Sequence, residues 1–254
     1  MRSILLLLFL GAFSFFVSGQ ETKIIVRAKA KDAKFIGSSL GGAYVIIRDK
    51  NNGEILAEGT TEGTTGNTNL IMQNPQQRRT AIADAGTAKF EATLDLKEPT
   101  LARIEVASPA NKRSAQVAAS TEMWLIPGKH ILGNGVVLEI PGFIIDILSP
   151  RTHQYISLKS LPENKLKVQA NIVMMCGCMI ENDGLWDAKA MESRVVLKRN
   201  GTKLLESDLT CVATNLFETT LNVGATGDYE LMMYAYDPIT GNTGVEFMNF
   251  VLLP

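Results

Sequence analysis

Short runs of alternating apolar and polar residues recur along almost the whole chain, and Gly, Asn, Asp or Pro bounds each run. The stretch "TAKFEATLDL" (87–96) is typical, because Ala88, Phe90, Ala92 and Leu94 fall on one side of it. A period of two places alternate side chains on opposite faces of a strand. A helical period is visible only at 187–194, over one or two turns. The pattern therefore predicts an all-β protein whose strands each bury one face.

The alternation falls into two series that divide near residues 141–143. Residues 20–141 contain a predicted hairpin at 41–62, a Thr-, Gly-, Asn- and Gln-rich insertion at 60–85, and a predicted turn at 134–135. Residues 142–254 contain about seven short strands and a predicted hairpin turn at 200–201. Asn and Gly accept the positive φ that tight hairpins need. Two tandem antiparallel β-sandwich domains are therefore expected.

The N-terminus has the features of a secretory signal peptide. Arg2 precedes an apolar run at 4–17, and small residues end at Gly19. The run is shorter than the roughly 20 residues that span a bilayer, so residues 1–19 are interpreted as a cleaved signal and not as an anchor. Cleavage would remove Arg2 and leave 24 basic and 26 acidic residues, a net charge of −2. We therefore expect a secreted protein, in the periplasm, on the cell surface or outside the cell, with no stable membrane insertion and no affinity for nucleic acid.

Each series resembles a known family of β-sandwiches. The first, over about 23–140, has "GGAYVIIRDKNNGEILAEGTTE", "GTAKFEATL" and "LARIEVASP" in an order similar to that of transthyretin-like or carboxypeptidase-regulatory-like domains. The second, over about 143–254, ends in "GDYELMMYAYDPITGNTG", which resembles the closing hairpin of bacterial immunoglobulin-like domains. The insertion at 60–85 departs from the compact transthyretin-like pattern. The first resemblance implies a binding or spacer module and no catalysis, whereas the second concerns the fold and not an activity.

The chain has three cysteines: Cys176, Cys178 and Cys211. Exported proteins meet an oxidising environment, so at least one disulfide is expected and one thiol is left over. A bridge from Cys211 to Cys176 or Cys178 would close a loop of roughly 33–36 residues, worth about 3–4 kcal/mol in the chain-entropy model. In this first interpretation the neighbouring methionines only fill the core.

Two other interpretations of the same cluster stay open. The sulfur atoms of Met174, Met175, Cys176, Cys178 and Met179 suit Cu(I), and seven of the ten methionines lie in the second series. The two cysteines could instead form a small C-x-C disulfide with redox chemistry. That chemistry requires a thiol with a lowered pKa, usually at a helix N-terminus, and no helix is predicted nearby.

Catalytic signatures are absent from the sequence. There is no G-x-S-x-G, H-E-x-x-H or P-loop motif, so no catalytic residue and no cofactor is predicted. Asn200 begins the glycosylation sequon Asn-Gly-Thr at a hairpin tip. The sequence thus favours a non-enzymatic interaction or structural module, bound to other proteins or to copies of itself. A copper-binding or copper-delivery protein is the alternative.

Overall fold

The computed structural model describes residues 19–254, so the predicted signal peptide lies outside the described residues except for Gly19. Within this part of the chain the long elements are all β-strands, which confirms the all-β prediction. No helix found here has the length and apolar character needed to cross a membrane. The helical segments are short turns at Ser38–Leu40, Asn69–Gln73, Arg113–Ala115, Leu158–Ser160, Pro162–Asn164 and Ala188–Ala190.

Seven strands form the first sandwich. They are β1 (Gln20–Ala30), β2 (Tyr44–Asp49), β3 (Ile55–Thr60), β4 (Phe90–Leu96), β5 (Thr100–Ser108), β6 (Val117–Leu125) and β7 (Ile131–Ile140). One sheet has the order β4-β1-β7 and the other has the order β3-β2-β5-β6.

Nine strands form the second sandwich. They are β8 (Phe143–Ser149), β9 (Gln154–Ser157), β10 (Lys165–Met174), β11 (Glu192–Arg199), β12 (Thr202–Asp208), β13 (Thr210–Ala213), β14 (Leu216–Asn222), β15 (Gly227–Tyr236) and β16 (Thr243–Leu253). A four-stranded sheet has the order β13-β14-β10-β8, and a five-stranded sheet has the order β12-β11-β15-β16-β9.

Burial follows the alternation of the sequence. On β4, Ala92 and Leu94 are buried whereas Glu91 and Thr93 are exposed. Each fully buried aliphatic side chain contributes about 1.5–3 kcal/mol through removal of apolar surface from water. The buried apolar residues of both sandwiches form one continuous cluster, so the two units share a packed junction.

Two strand pairs depart from the antiparallel arrangement. β1 pairs in parallel with β7, and β9 pairs in parallel with β16. In each sheet the parallel partner is added at the edge. Alternating hydrophobicity predicts which face a strand buries, but it carries no information about the direction of its neighbour.

The predicted hairpins at 41–62 and at 200–201 are confirmed by antiparallel pairing of β2 with β3 and of β11 with β12. The predicted turn at 134–135 is wrong. Gly133 and Gly135 have φ values of 69° and 68° inside β7, where they form a bulge against β1. A Cβ atom on Gly135 would come within 2.3 Å of the Ile25 carbonyl oxygen, so only glycine fits there.

The chain immediately after the polar insertion at 60–85 is tied to the first sheet by a buried arginine. Arg27, 3% exposed, donates hydrogen bonds from Nη1 to the carbonyl oxygens of Thr87 and Ala88. Asn134 in the β7 bulge accepts a hydrogen bond from the Ile82 amide at 3.0 Å. The insertion is therefore anchored at its C-terminal end, whereas residues 73–81 are exposed.

Candidate functional site

The cysteine cluster forms a tight turn at the end of β10. Gly177 has a φ of 75°, and its amide donates to the Met174 carbonyl oxygen at 2.7 Å. This geometry places the Cα atoms of Cys176 and Cys178 5.4 Å apart, and their sulfur atoms form a disulfide. The positive φ at glycine makes this close approach accessible to the backbone.

Cys211 does not take part in a disulfide, so the expected bridge to Cys176 or Cys178 is wrong. Cys211 lies on β13, 8% exposed, and its thiol donates to the Ala213 carbonyl oxygen at 3.3 Å. Burial raises the pKa of this thiol. The leftover cysteine is therefore a protonated, inert thiol, since the thiolate is the reactive form.

The predicted copper ligands are only partly brought together. Met174 and Met175 are 3% and 1% exposed, whereas Met179 is 59% exposed. Both thiols are consumed by the disulfide, so the oxidised turn offers thioethers without thiolates. Among residues 19–254 no group of three His, Cys, Asp or Glu side chains is placed to hold a metal ion. Copper binding stays a prediction that applies to the reduced turn.

The turn also touches the first sandwich. A Cβ atom on Gly177 would lie 3.2 Å from Cγ and Cδ1 of Leu40, which belongs to the short helical turn Ser38–Leu40. Cys176 and Cys178 are 1% and 7% exposed. The disulfide is therefore part of the junction between the sandwiches.

Polar side chains bridge the same junction. Asn242 is fully buried, accepts a hydrogen bond from the Gly142 amide at 2.9 Å and donates one to the Lys31 carbonyl oxygen at 3.1 Å. On another side, Lys112 of the first sandwich forms ion pairs with Asp146 and Glu246 of the second. These contacts fix the orientation of one sandwich against the other.

A cleft of about 210 Å³ opens beside these contacts. Its apolar walls include Phe143, Met174, Ile180, Trp186, Met191 and Ile239. The Trp186 Nε1 group donates to the Asp32 carbonyl oxygen at 2.9 Å, which holds the indole between the two sandwiches. Sites of this kind are common where two domains meet.

The polar wall of the cleft is acidic. The Asp237 carboxylate accepts hydrogen bonds from the Ile239 amide at 2.8 Å and from the Thr240 hydroxyl at 2.6 Å. The Asp32 carboxylate has no hydrogen bond or ion pair with any residue from 19 to 254. Burial, followed by the charge of Asp237, raises the pKa of Asp32, although Lys29 opposes this shift.

A second surface lies on the outer side of the five-stranded sheet. We call it the apolar face; it is formed by Tyr155, Tyr236, Val245 and Phe247, which are 60%, 37%, 42% and 56% exposed. Strand pairing places all four on one side of the sheet. Tyr236 lies opposite Thr243 and Tyr155 lies opposite Val251, and both partners are on the same side of β16 as Val245 and Phe247.

Most of the charges beside the apolar face are paired with one another. Arg194 forms ion pairs with Glu206 at 3.2 Å and with Asp208 at 2.9 Å. Lys198 forms another with Glu230 at 2.6 Å. Hydrogen bonds from Lys203, Tyr234 and Arg194 lower the pKa of Glu206 to about 2. The exception is Glu192, which lies opposite Tyr236 and has no ion pair among residues 19–254.

Asn200 lies at the exposed tip of the β11–β12 hairpin with a φ of 49°. Glycosylation at this position stays a prediction.

Sequence reasoning did not find Asp32, Asn242 or Ile239. The apolar face, in contrast, could be found from the period-two pattern. Met248 and Phe250 point into the core from one face of β16, so Val245 and Phe247, which are large and apolar, must lie on the other face.

Comparison with known proteins gives no family. No family model and no curated protein matches the chain. An engineered protein solved at 1.98 Å resolution is 13% identical with a TM-score of 0.33, over 51% of this chain and 24% of that one. The fibronectin(III)-like modules of Clostridium thermocellum CbhA are 10% identical with a TM-score of 0.28, over 91% of this chain and 94% of theirs. Likenesses this weak carry no argument about function.

Proposed function

We propose that this protein is an exported, non-enzymatic interaction module that binds a partner protein through the apolar face. The observation that carries the proposal is the exposure of four large apolar side chains on one side of a single sheet. Exposed apolar side chains that gather on one face, as Val245 and Phe247 do two residues apart on β16, mark interaction sites in soluble proteins.

The partner that fits this surface is uncharged and apolar where it makes contact. The neighbouring ion pairs already satisfy Arg194 and Lys198, so a charged partner would gain little from these two side chains. Tyrosine and phenylalanine are enriched at the centres of protein interfaces because they bury a large area at low entropic cost. Phe247, which lies on β16 between two other strands, is expected to be the main contact.

Export and the finer domain types belong to the same proposal. The apolar N-terminal run supports secretion. The transthyretin-like pattern at 20–141 and the immunoglobulin-like pattern at 142–254 support modules that present surfaces. The missing catalytic motifs support a non-enzymatic role. Copper delivery is the weaker alternative, since the turn that would bind copper is a disulfide.

Site-specific photo-crosslinking in cells that make the protein tests the proposal. A photoreactive phenylalanine analogue at position 247 should give one adduct of discrete mass, and the same analogue at the similarly exposed position 55 of the first sandwich should give none. With the photoreactive group placed at position 245 instead, the protein should still form an adduct. Adding Phe247→Asp should abolish that adduct while the circular dichroism spectrum stays unchanged.

Sedimentation of the purified protein distinguishes the kind of partner. A dimer that Phe247→Asp dissociates would identify a second copy as the partner and support the proposal. Equal labelling at 55 and 247, or an adduct that survives Phe247→Asp, would contradict it.

A further inference from the structure

The cleft between the sandwiches is a site that the apolar face does not explain. It exists only because the two units are tied together, since Asp32 comes from the first sandwich whereas Trp186, Asp237 and Ile239 come from the second. Its volume of about 210 Å³ is below the range of roughly 300–1,000 Å³ that is usual for drug-sized ligands. The space therefore suits a group of the size of one long side chain.

The walls suit a short alkyl chain. Ile239, at the tip of the β15–β16 turn, is 85% exposed, and Leu185, which also lines the cleft, is 50% exposed. Trp186 is fixed by its hydrogen bond to the Asp32 carbonyl oxygen, so its ring is oriented before any ligand enters. A fixed ring loses little conformational entropy on binding.

The lining of the cleft is acidic, and the positive charge of Lys29 acts on Asp32 from outside this lining. Asp32, Asp187 and Asp237 contribute carboxylates, and among the described residues no lysine or arginine lines the cleft. The carboxylates of Asp187 and Asp237 accept hydrogen bonds from their own turns. The exposed Asp32 carboxylate is therefore the one in the cleft that has no hydrogen-bond or ion-pair partner among residues 19–254. A bound cation would compensate this field, whereas a neutral ligand would leave it unchanged.

We propose that the cleft binds an organic cation that consists of a short alkyl chain and one ammonium or guanidinium group. The alkyl chain lies against Ile239 and Leu185, and the cation lies between the Trp186 ring and the Asp32 carboxylate. Aromatic faces attract such cations, and a nearby carboxylate strengthens the attraction. The same chemistry is found in a lysine or arginine side chain of a protein and in a free alkylamine.

Fluorescence of Trp186 in the full mature protein provides the test, with Trp124→Phe as the background because Trp124 is the only other tryptophan. The probes are n-pentylammonium, N-acetyl-lysine methylamide and the neutral isostere pentanol. Both cations should give a saturable change with at least about tenfold tighter binding than pentanol, and the affinity should fall as salt is added. Tighter binding of the capped lysine would identify a protein side chain as the natural ligand, and tighter binding of the free amine would identify a small molecule.

Two variants locate the site. Asp32→Asn should weaken binding of both cations about tenfold and leave pentanol unaffected, whereas Asp228→Asn, a distant exposed carboxylate, should change neither. Asparagine accepts the positive φ of 53° at position 32, so the backbone is preserved. If Asp32→Asn does not fold, Ile239→Ser shortens one wall at an exposed position and should weaken the cations instead.

Equal binding of pentanol and pentylammonium would overturn the proposal, as would failure of both cations to saturate or unchanged affinity in Asp32→Asn. None of these results depends on the apolar face. Failure of this proposal is therefore distinguishable from failure of the proposed function.

Discussion

Replacing Asn242 by alanine should weaken the junction and destabilise the whole protein. The side chain accepts one hydrogen bond from Gly142 and donates one to Lys31, and it is fully buried between the sandwiches. Each buried neutral hydrogen bond contributes about 1 kcal/mol, and leaving a buried amide or carbonyl without a partner costs about 1–3 kcal/mol more. Because the junction can relax and admit water, the expected loss is about 2–4 kcal/mol.

Urea unfolding at neutral pH measures this loss with two local probes. Trp124 lies on β6 in the first sandwich and Trp186 lies at the junction, so variants with Phe at one of the two positions report each region separately. Their transitions should coincide in the otherwise unchanged protein because its core is continuous. In Asn242→Ala both midpoints should fall, and the melting temperature should fall by about 4–16 °C for a chain of this size.

The matched control is Asn249→Ala. Asn249 is exposed on the outer side of β16, and its loss should change stability by less than about 0.5 kcal/mol. If Asn242→Ala is as stable as this control, the two hydrogen bonds contribute nothing net and the junction is held by apolar packing alone.

Four further outcomes follow from the structure. Arg27→Met should destabilise the first sandwich by about 2–3 kcal/mol, because the carbonyl oxygens of Thr87 and Ala88 lose their donor. It should also speed trypsin cleavage in the insertion, which limited proteolysis followed by mass spectrometry measures. Ellman's reagent should find no reactive thiol in the native, unreduced protein and one in urea, and Cu(I) should bind only after reduction of the Cys176–Cys178 bond. The pKa of Asp32 is raised, so the folded protein loses stability as the pH rises above the ordinary pKa of an aspartate. In thermal melts, Asp32→Asn should therefore be more stable than the unchanged protein at pH 7 and equally stable at acidic pH. Glu206 should titrate near pH 2 in an NMR titration, and the stabilisation from its ion pairs should be lost as pH falls from its ordinary pKa through that value.

The sequence predicts the sheets well where burial is one-sided. On β4 the side chains at 92 and 94 alternate with polar ones, and on β15 Leu231 and Met233 alternate with half-buried neighbours. Asn200 and Gly201 mark their hairpin without ambiguity because few other residues accept the backbone conformation of a tight turn. These features are local, so a single stretch of chain contains all the information that determines them.

The junction could not be predicted in the same way. Asn242 lies in a stretch typical of a turn, yet its partners at Gly142 and Lys31 are 100 and 211 residues away. Arg27 alternates with apolar residues and is typical of a solvent-facing position, but it is buried and its guanidinium group bonds to the carbonyl oxygens of Thr87 and Ala88, far away in the sequence. Glycines at 133 and 135 predict a turn equally well as a bulge, and pairing with β1 decides between them.

The observed disulfide contributes less to stability through loop closure than the expected one would, but it determines the shape of a turn at the junction. A bridge to Cys211 would have stabilised the fold by about 3–4 kcal/mol through closure of a long loop, whereas a ring that contains only three residues gives about 1.6 kcal/mol in the same model. The second sandwich must therefore rely on its apolar core, in which Leu231, Met233 and Phe250 are fully buried. What the bond does fix is the turn between Met174 and Met179, and that turn touches Leu40 and ends beside the cleft. The bond thus shapes a turn of the second sandwich on which Leu40 of the first sandwich packs.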